Sequence, residues 1–140
     1  MNNDFRWNKE LIEQCLNNNN IEQINEIDIS DRTGFMMACV WQPDLALKML
    51  EYDNINFNIQ NNQGYVAFMF ACNHSPNLII PMLENDKVDE NIKNNNGKTG
   101  WDIAKEHNPE SFKIYQTYLE HQKLKNHYNQ KSSKSKRKTL

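Results

Sequence analysis

The sequence predicts an all-α chain built as a solenoid: three helix-turn-helix repeats, an irregular N-terminal cap and a disordered basic C-terminal tail. Two internal regularities and the composition predict it. Shifted by 33 residues, the run Asp31-Arg32-Thr33-Gly34-Phe35-Met36-Met37-Ala38-Cys39 falls on Gly64-Tyr65-Val66-Ala67-Phe68-Met69-Phe70-Ala71-Cys72, and that run falls on Gly97-Lys98-Thr99-Gly100-Trp101-Asp102-Ile103-Ala104-Lys105. Ala38, Ala71 and Ala104 keep the same interval, as do Pro43, Pro76 and Pro109. A sustained period of this size marks stacked supersecondary units and not a closed globule. The mean hydropathy of −0.89 is low for a compact fold, but a thin stack buries less per residue and tolerates it.

In chain order, residues 1–4 are expected to fray. From Phe5 to Leu16, the apolar positions Trp7, Leu11, Ile12, Cys15 and Leu16 make one helical stripe. Asn8 fits an N-cap, with Glu10 in the first turn. The polar run Asn17 to Asn20 ends that helix, and Ile21, Ile24 and Ile27 fit either a second short helix or an extended link. Segment 1–27 thus reads as a cap over the first face of the stack.

Repeats follow at 28–60, 61–93 and 94–124. In the first, Thr33 starts a short helix through Val40, and Pro43, suited to a first helical position, starts another to about Tyr52. The second has helices near Val66 to Asn73 and around Leu78 to Leu83; the third has Thr99 to His107 and a longer helix from Pro109 or Glu110. Between units, Asn54 to Asn62 is polar, with Ile55, Phe57 and Ile59 alternating. A small residue at Ala38, Ala71 and Ala104 lets neighbouring helices approach, while Phe35, Phe68 and Trp101 fill the space between units. Beyond residue 124 the chain has too little apolar material to offset the entropy of ordering, so 125–140 is expected to be disordered.

Charge is unevenly placed. Residues 121–140 hold seven positive side chains and no acid, while the first 120 carry nine positive against eighteen acidic, a net of −9. Asparagine supplies 23 of the 140 residues, which we read as compositional bias. Three cysteines with no close pair, no signal-peptide pattern and no membrane-length apolar run predict an intracellular protein, cytoplasmic or nuclear, with reduced thiols.

The three in-phase copies resemble ankyrin repeats over roughly residues 28–120. Thr33-Gly34-Phe35-Met36-Met37-Ala38 and its two counterparts stand where that family has T-P-L-H-x-A, and the Asn-rich style resembles the ankyrin families of amoebae and their large DNA viruses. Gly64 and Gly97 occupy the turn-glycine position, with Asp31 in the first copy. The family histidine is replaced by Met36, Met69 and Asp102. A left-handed glycine position is taken by Asn54 and Lys87, which predicts strain at the lysine. Pro81 falls inside the second unit's second helix, which is expected to be the weakest element unless the helix starts late enough to put the proline in its first turn.

The resemblance implies a concave face of turns and first helices that binds a partner protein. Its candidate contacts are Arg32, Trp41, Asn62, Gln63, Tyr65, Asn73, His74 and Lys98, with Trp41 and Tyr65 as aromatic anchors. Chemistry is hard to assemble from the remaining residues. Cys39 and Cys72 share one repeat position and read as small buried hydrophobes; no ligand set has metal-site spacing; no nucleophile-base pair or phosphate loop is present. The expectation is a monomeric, non-enzymatic binding protein without cofactor, metal, small-molecule substrate or membrane contact. The alternative rests on the basic run Lys134, Lys136, Arg137 and Lys138, a nuclear-import or nucleic-acid contact.

Overall fold

A computed structural model of the chain describes residues 4–138, with side chains through Lys131; of the residues expected to fray, 1–3 lie outside this range. Among the described residues there are seven α-helices and no strand. Helix α1 (Lys9–Asn17) begins where the sequence predicts: extended Asn8 accepts the Leu11 N–H at 2.8 Å. Phe5 and Trp7 precede the helix instead of joining it. The Trp7 backbone N–H donates to Asp28 at 2.7 Å and its indole to the Glu26 carbonyl at 2.8 Å, tying the start of the chain to the first turn. A 3-10 turn at Ile21–Asn25 settles the two alternatives for that segment.

Helices α2 (Gly34–Trp41), α4 (Ala67–His74) and α6 (Gly100–His107) share one length and one phase. Their second partners are α3 (Pro43–Met49), a 3-10 turn at Pro76–Leu78 running into α5 (Ile79–Leu83), and α7 (Pro109–Lys138). Helix α2 packs on α4 and α4 on α6, while α3 packs on the 3-10 turn and α5 on α7. Ala38, Ala71 and Ala104 each stand fifth in their helix and are fully buried. One turn earlier, at Gly34, Ala67 and Gly100, a second small-residue position uses the same logic: a β-carbon on Gly100 would lie 2.6 Å from the Phe68 ring. Phe35 meets Phe57 edge-on at 4.9 Å, Phe68 meets Tyr115 at 5.7 Å, and Trp101 is wedged against Phe112 and Tyr115.

Side-chain caps close the N-termini of two of the three first helices. Thr33 accepts the Met36 N–H, Thr99 accepts the Asp102 N–H, and Asp102 returns the bond by accepting the Thr99 N–H at 3.0 Å. Val66, in the middle copy, has no side-chain cap.

Three expectations need correction. Residues 125–138 are helical, since α7 runs unbroken to Lys138, and the last two residues of the expected tail, 139–140, lie outside the described residues. Propagating a helix from a packed nucleus needs no buried face, and from Glu110 to Lys131 there is neither glycine nor proline to stop it. Neither Asn54 nor Lys87 is among the residues with positive φ, so the strain expected at Lys87 is absent. Finally, α3 ends at Met49, short of Tyr52.

Candidate functional site

The surface that carries the candidate residues is built from three identical turns. At Asp28, Asn61 and Asn94 the backbone N–H donates to the carbonyl four residues on, Arg32, Tyr65 and Lys98, each at 2.9 Å. The same Asp or Asn side chain accepts two N–H groups, from Ser30 and Arg32, Gln63 and Tyr65, or Asn96 and Lys98, at 2.8 to 3.1 Å. These side-chain-closed turns force a left-handed residue at the same place: Asp31 (φ 62°), Gly64 (φ 79°) and Gly97 (φ 75°). Aspartate tolerates that region better than most residues, and its Oδ1 accepts the Asn62 N–H of the next turn at 3.0 Å.

Successive turns are bonded to one another. Asn61 donates to the Asp31 carbonyl, the Asn95 N–H to the Gln63 carbonyl, and the Asn95 amide to the Asn62 carbonyl, at 3.0 to 3.1 Å. A second ladder runs through the linkers: Asn25 accepts the Asn56 N–H at 2.9 Å, and, 33 residues on, Asn58 accepts the Asp89 N–H at 2.8 Å. Several asparagines that look compositional in the sequence are therefore structural, and the 33-residue spacing of Asp28, Asn61 and Asn94, and of Asn25 and Asn58, was the signal that could have found them.

On this frame Arg32, Tyr65 and Lys98 hold one repeat position at the turn stems. Trp41, His74 and His107 hold another, as the last residues of α2, α4 and α6. The two groups share a surface, because Lys98 Nζ pairs with Glu106 at the far end of α6 and Tyr65 packs on Phe70 in α4 at 5.4 Å. Trp41 is 66 % exposed, so it does not pack over the helix-helix loop. Tyr65 is half-buried, and Phe70 beside it, also half-buried, belongs to the same apolar patch although it is not among the candidate contacts read from the sequence. Asn62, Gln63 and His74 are exposed. Asn73 acts through its backbone, accepting the Asn108 amide at 2.8 Å. Lys98 is paired with Glu106 through both carboxylate oxygens. Arg32 Nε is buried without a hydrogen-bond partner. The run Lys134, Lys136, Arg137 and Lys138 lies on the last turns of α7, where side chains are outside the described residues.

The candidate nucleophiles sit in surroundings that suppress reactivity. Cys15, Cys39 and Cys72 are buried and unpaired as disulfides. Burial pushes the Cys39 and Cys72 thiols well up, with a further contribution from Cys72 at Cys39 and from Glu90 at Cys72, and burial raises Cys15 as well. Among the described residues no group of three or more His, Cys, Asp or Glu is placed to hold a metal ion, and no helix is long and apolar enough to cross a membrane.

No protein-family model matches the chain, and no curated protein matches it in sequence. Among solved structures, a chain from the complex of a predatory endopeptidase of Bdellovibrio bacteriovorus with an immunity protein is similar, with a TM-score of 0.57 and 26% identity over 67% of this chain. The match covers 50% of that chain, so this chain spans about half its length.

Proposed function

We propose that the chain is a short ankyrin-repeat protein, a solenoid that binds a partner protein through the face formed by its turns and first helices. The observation that carries this reading is the exposed Trp41 at the repeat position that ends α2, α4 and α6, together with the Tyr65–Phe70 pair on the middle turn and helix. Large aromatics held on rigid elements supply contact area at little entropic cost, and they dominate interface energetics. The left-handed residues at 31, 64 and 97 and the threonine caps at Thr33 and Thr99 support the family reading. The matched solved chain also belongs to a protein–protein assembly. A non-enzymatic role is supported by thiols whose burial disfavours the reactive thiolate.

Affinity capture with the wild type and a Trp41→Ala/Tyr65→Ala chain tests the proposal. The double substitution is expected to lose the partner that the wild type retains; equal recovery by both would exclude this face. A second reading, nucleic-acid association through the basic helix, is supported by the exposure of Lys123, Lys125 and Lys131. It requires salt-sensitive binding that disappears on truncation after Lys125.

A further inference from the structure

We propose that α7 pairs antiparallel with the α7 of a second copy of this chain, in place of the monomer that the sequence predicts. The surface lies on the second-helix side, away from the partner-binding face. Between α5 and α7 runs an apolar groove of about 420 Å³, with Ile80, Ile114, Thr117, Tyr118 and His121 in its lining and Glu84, Lys113 and Gln122 as its charged and amide members. Ile80 is 40% exposed there. The groove does not end where the body ends: farther along α7, Leu124 and Tyr128 stand 68% and 73% exposed. At about 100° per residue, Ile114, Tyr118, His121, Leu124 and Tyr128 fall within about a third of the helix circumference.

The occupant follows from symmetry and charge. The stripe has the same spacing read in either direction, with residues three and seven places on each side of His121. Laid antiparallel on itself, it sets Ile114 and Ile80 against the other copy's Tyr128, Tyr118 against Leu124, and His121 at the two-fold axis. Such a contact is isologous, the arrangement of the commonest soluble oligomers. Charge runs the same way. The groove end of the stripe borders Glu84 and the turn with Asp86, Asp89 and Glu90, which shares Tyr118 and Gln122 as neighbours; these four acids outnumber Lys113 and Lys87, and Lys87 is itself paired with Asp53. The far end carries Lys123, Lys125 and Lys131. Antiparallel pairing brings the basic end of each copy to the acidic end of the other; parallel pairing would set lysine against lysine.

The pairing also supplies what the extension lacks. From Lys123 to Lys131 every residue of α7 is exposed; propagation from the packed part of α7 lets this stretch form, and pairing adds the tertiary packing from which most helical stability in proteins comes. Because the overlap spans only about four turns, the interface is small, and dissociation belongs in the micromolar range.

Sedimentation equilibrium of the full chain, from low micromolar to millimolar, reads the result. The mass is expected to rise from 16.6 kDa towards twice that value. Tyr128→Glu and Ile80→Glu, which touch opposite sides of the same contact, are each expected to weaken the dimer at least tenfold while circular dichroism shows the helical body retained. Trp41→Ala/Tyr65→Ala is expected to leave the dimer unchanged, which separates this surface from the partner-binding face. Geometry is read by disulfide trapping, the native cysteines being buried: His121→Cys is expected to cross-link to itself, and Tyr128→Cys to Ile114→Cys. A chain that stays at its monomer mass throughout, or Tyr128→Cys joining itself in preference to Ile114→Cys, overturns the proposal.

Discussion

Gly64 touches Asn95. A β-carbon on Gly64 would lie 2.6 Å from the Asn95 side-chain oxygen and 2.7 Å from its backbone nitrogen, whereas one on Gly97 would meet no atom within 4 Å. Both glycines have the same left-handed backbone, so one term is common and the other is not. Gly97→Ala is expected to cost about 1–2 kcal/mol from backbone strain alone. Gly64→Ala adds roughly 1–3 kcal/mol for displacing the next turn. Urea unfolding of the two variants gives the difference directly, and equal losses would mean that the turns are not held against one another.

Binding and folding separate at the aromatic residues. Trp41 is 66% exposed, so Trp41→Ala should change stability by less than about 0.5 kcal/mol. Phe35, 1% exposed and packed on Phe57, is expected to cost about 3–5 kcal/mol as alanine. Denaturant midpoints for the two variants check this, and a folded Trp41→Ala chain is what gives the capture experiment its meaning.

Asp102 gives the fold a pH-dependent cap. Its carboxyl is held below the ordinary 3.8 chiefly by the Thr99 N–H; burial opposes this, and the Thr99 hydroxyl, Lys98 and Lys105 lower it further. A carboxylate with a depressed folded pKa contributes stability above its unfolded pKa, and that contribution is lost as pH falls through the folded value. Asp102→Ala is therefore expected to be less stable than the wild type at neutral pH, with the gap closing as the pH drops below about 4. Urea titrations at several pH values follow the gap; one that persists in strong acid would rule out the charge as its source.

The period was legible in the sequence because helix packing imposes it residue by residue. Only a small side chain fits at Ala38, Ala71 and Ala104, and only a left-handed turn fits at Asp31, Gly64 and Gly97. The asparagines were passed over because a structural asparagine and a compositional one are the same letter, and only their 33-residue spacing tells the two apart. Asn94, buried and closing a turn, sits in the same run as exposed Asn95 and Asn96. The candidate face was legible by position but not by state: no spacing rule says that Lys98 will be paired with Glu106, or that Asn73 will contribute a carbonyl. The helical extension of α7 was missed because burial was taken as the condition for order, whereas a helix already nucleated needs only the absence of a stop.

The linker ladder makes a local prediction. Asn58 accepts the Asp89 N–H and donates to the Lys87 carbonyl, each at 2.8 Å, on an exposed edge. Water competes for such bonds, so Asn58→Ala is expected to cost about 1 kcal/mol in total. The sharper readout is amide exchange: the Asp89 N–H should exchange faster in the variant, while the Asp28, Asn61 and Asn94 amides keep their protection. Uniform acceleration would indicate global loosening and not a broken rung.

Pro81 decides whether the middle unit is the weak one. A proline deep in a helix removes a hydrogen bond and clashes with the preceding turn, at about 3 kcal/mol. Here α5 starts at Ile79, which puts Pro81 third in the helix, where the N–H would have no helical acceptor in any case. The segment before it is already tightened into the 3-10 turn Pro76–Leu78. Leu78, Ile79 and Met82 around it are fully buried, so the short helix is fixed by packing more than by its own hydrogen bonds. Pro81→Ala is accordingly expected to change stability by no more than about 1 kcal/mol, the gain in helix propensity being offset by a more flexible unfolded chain. A stabilisation near 3 kcal/mol in urea unfolding would show instead that the proline strains the unit.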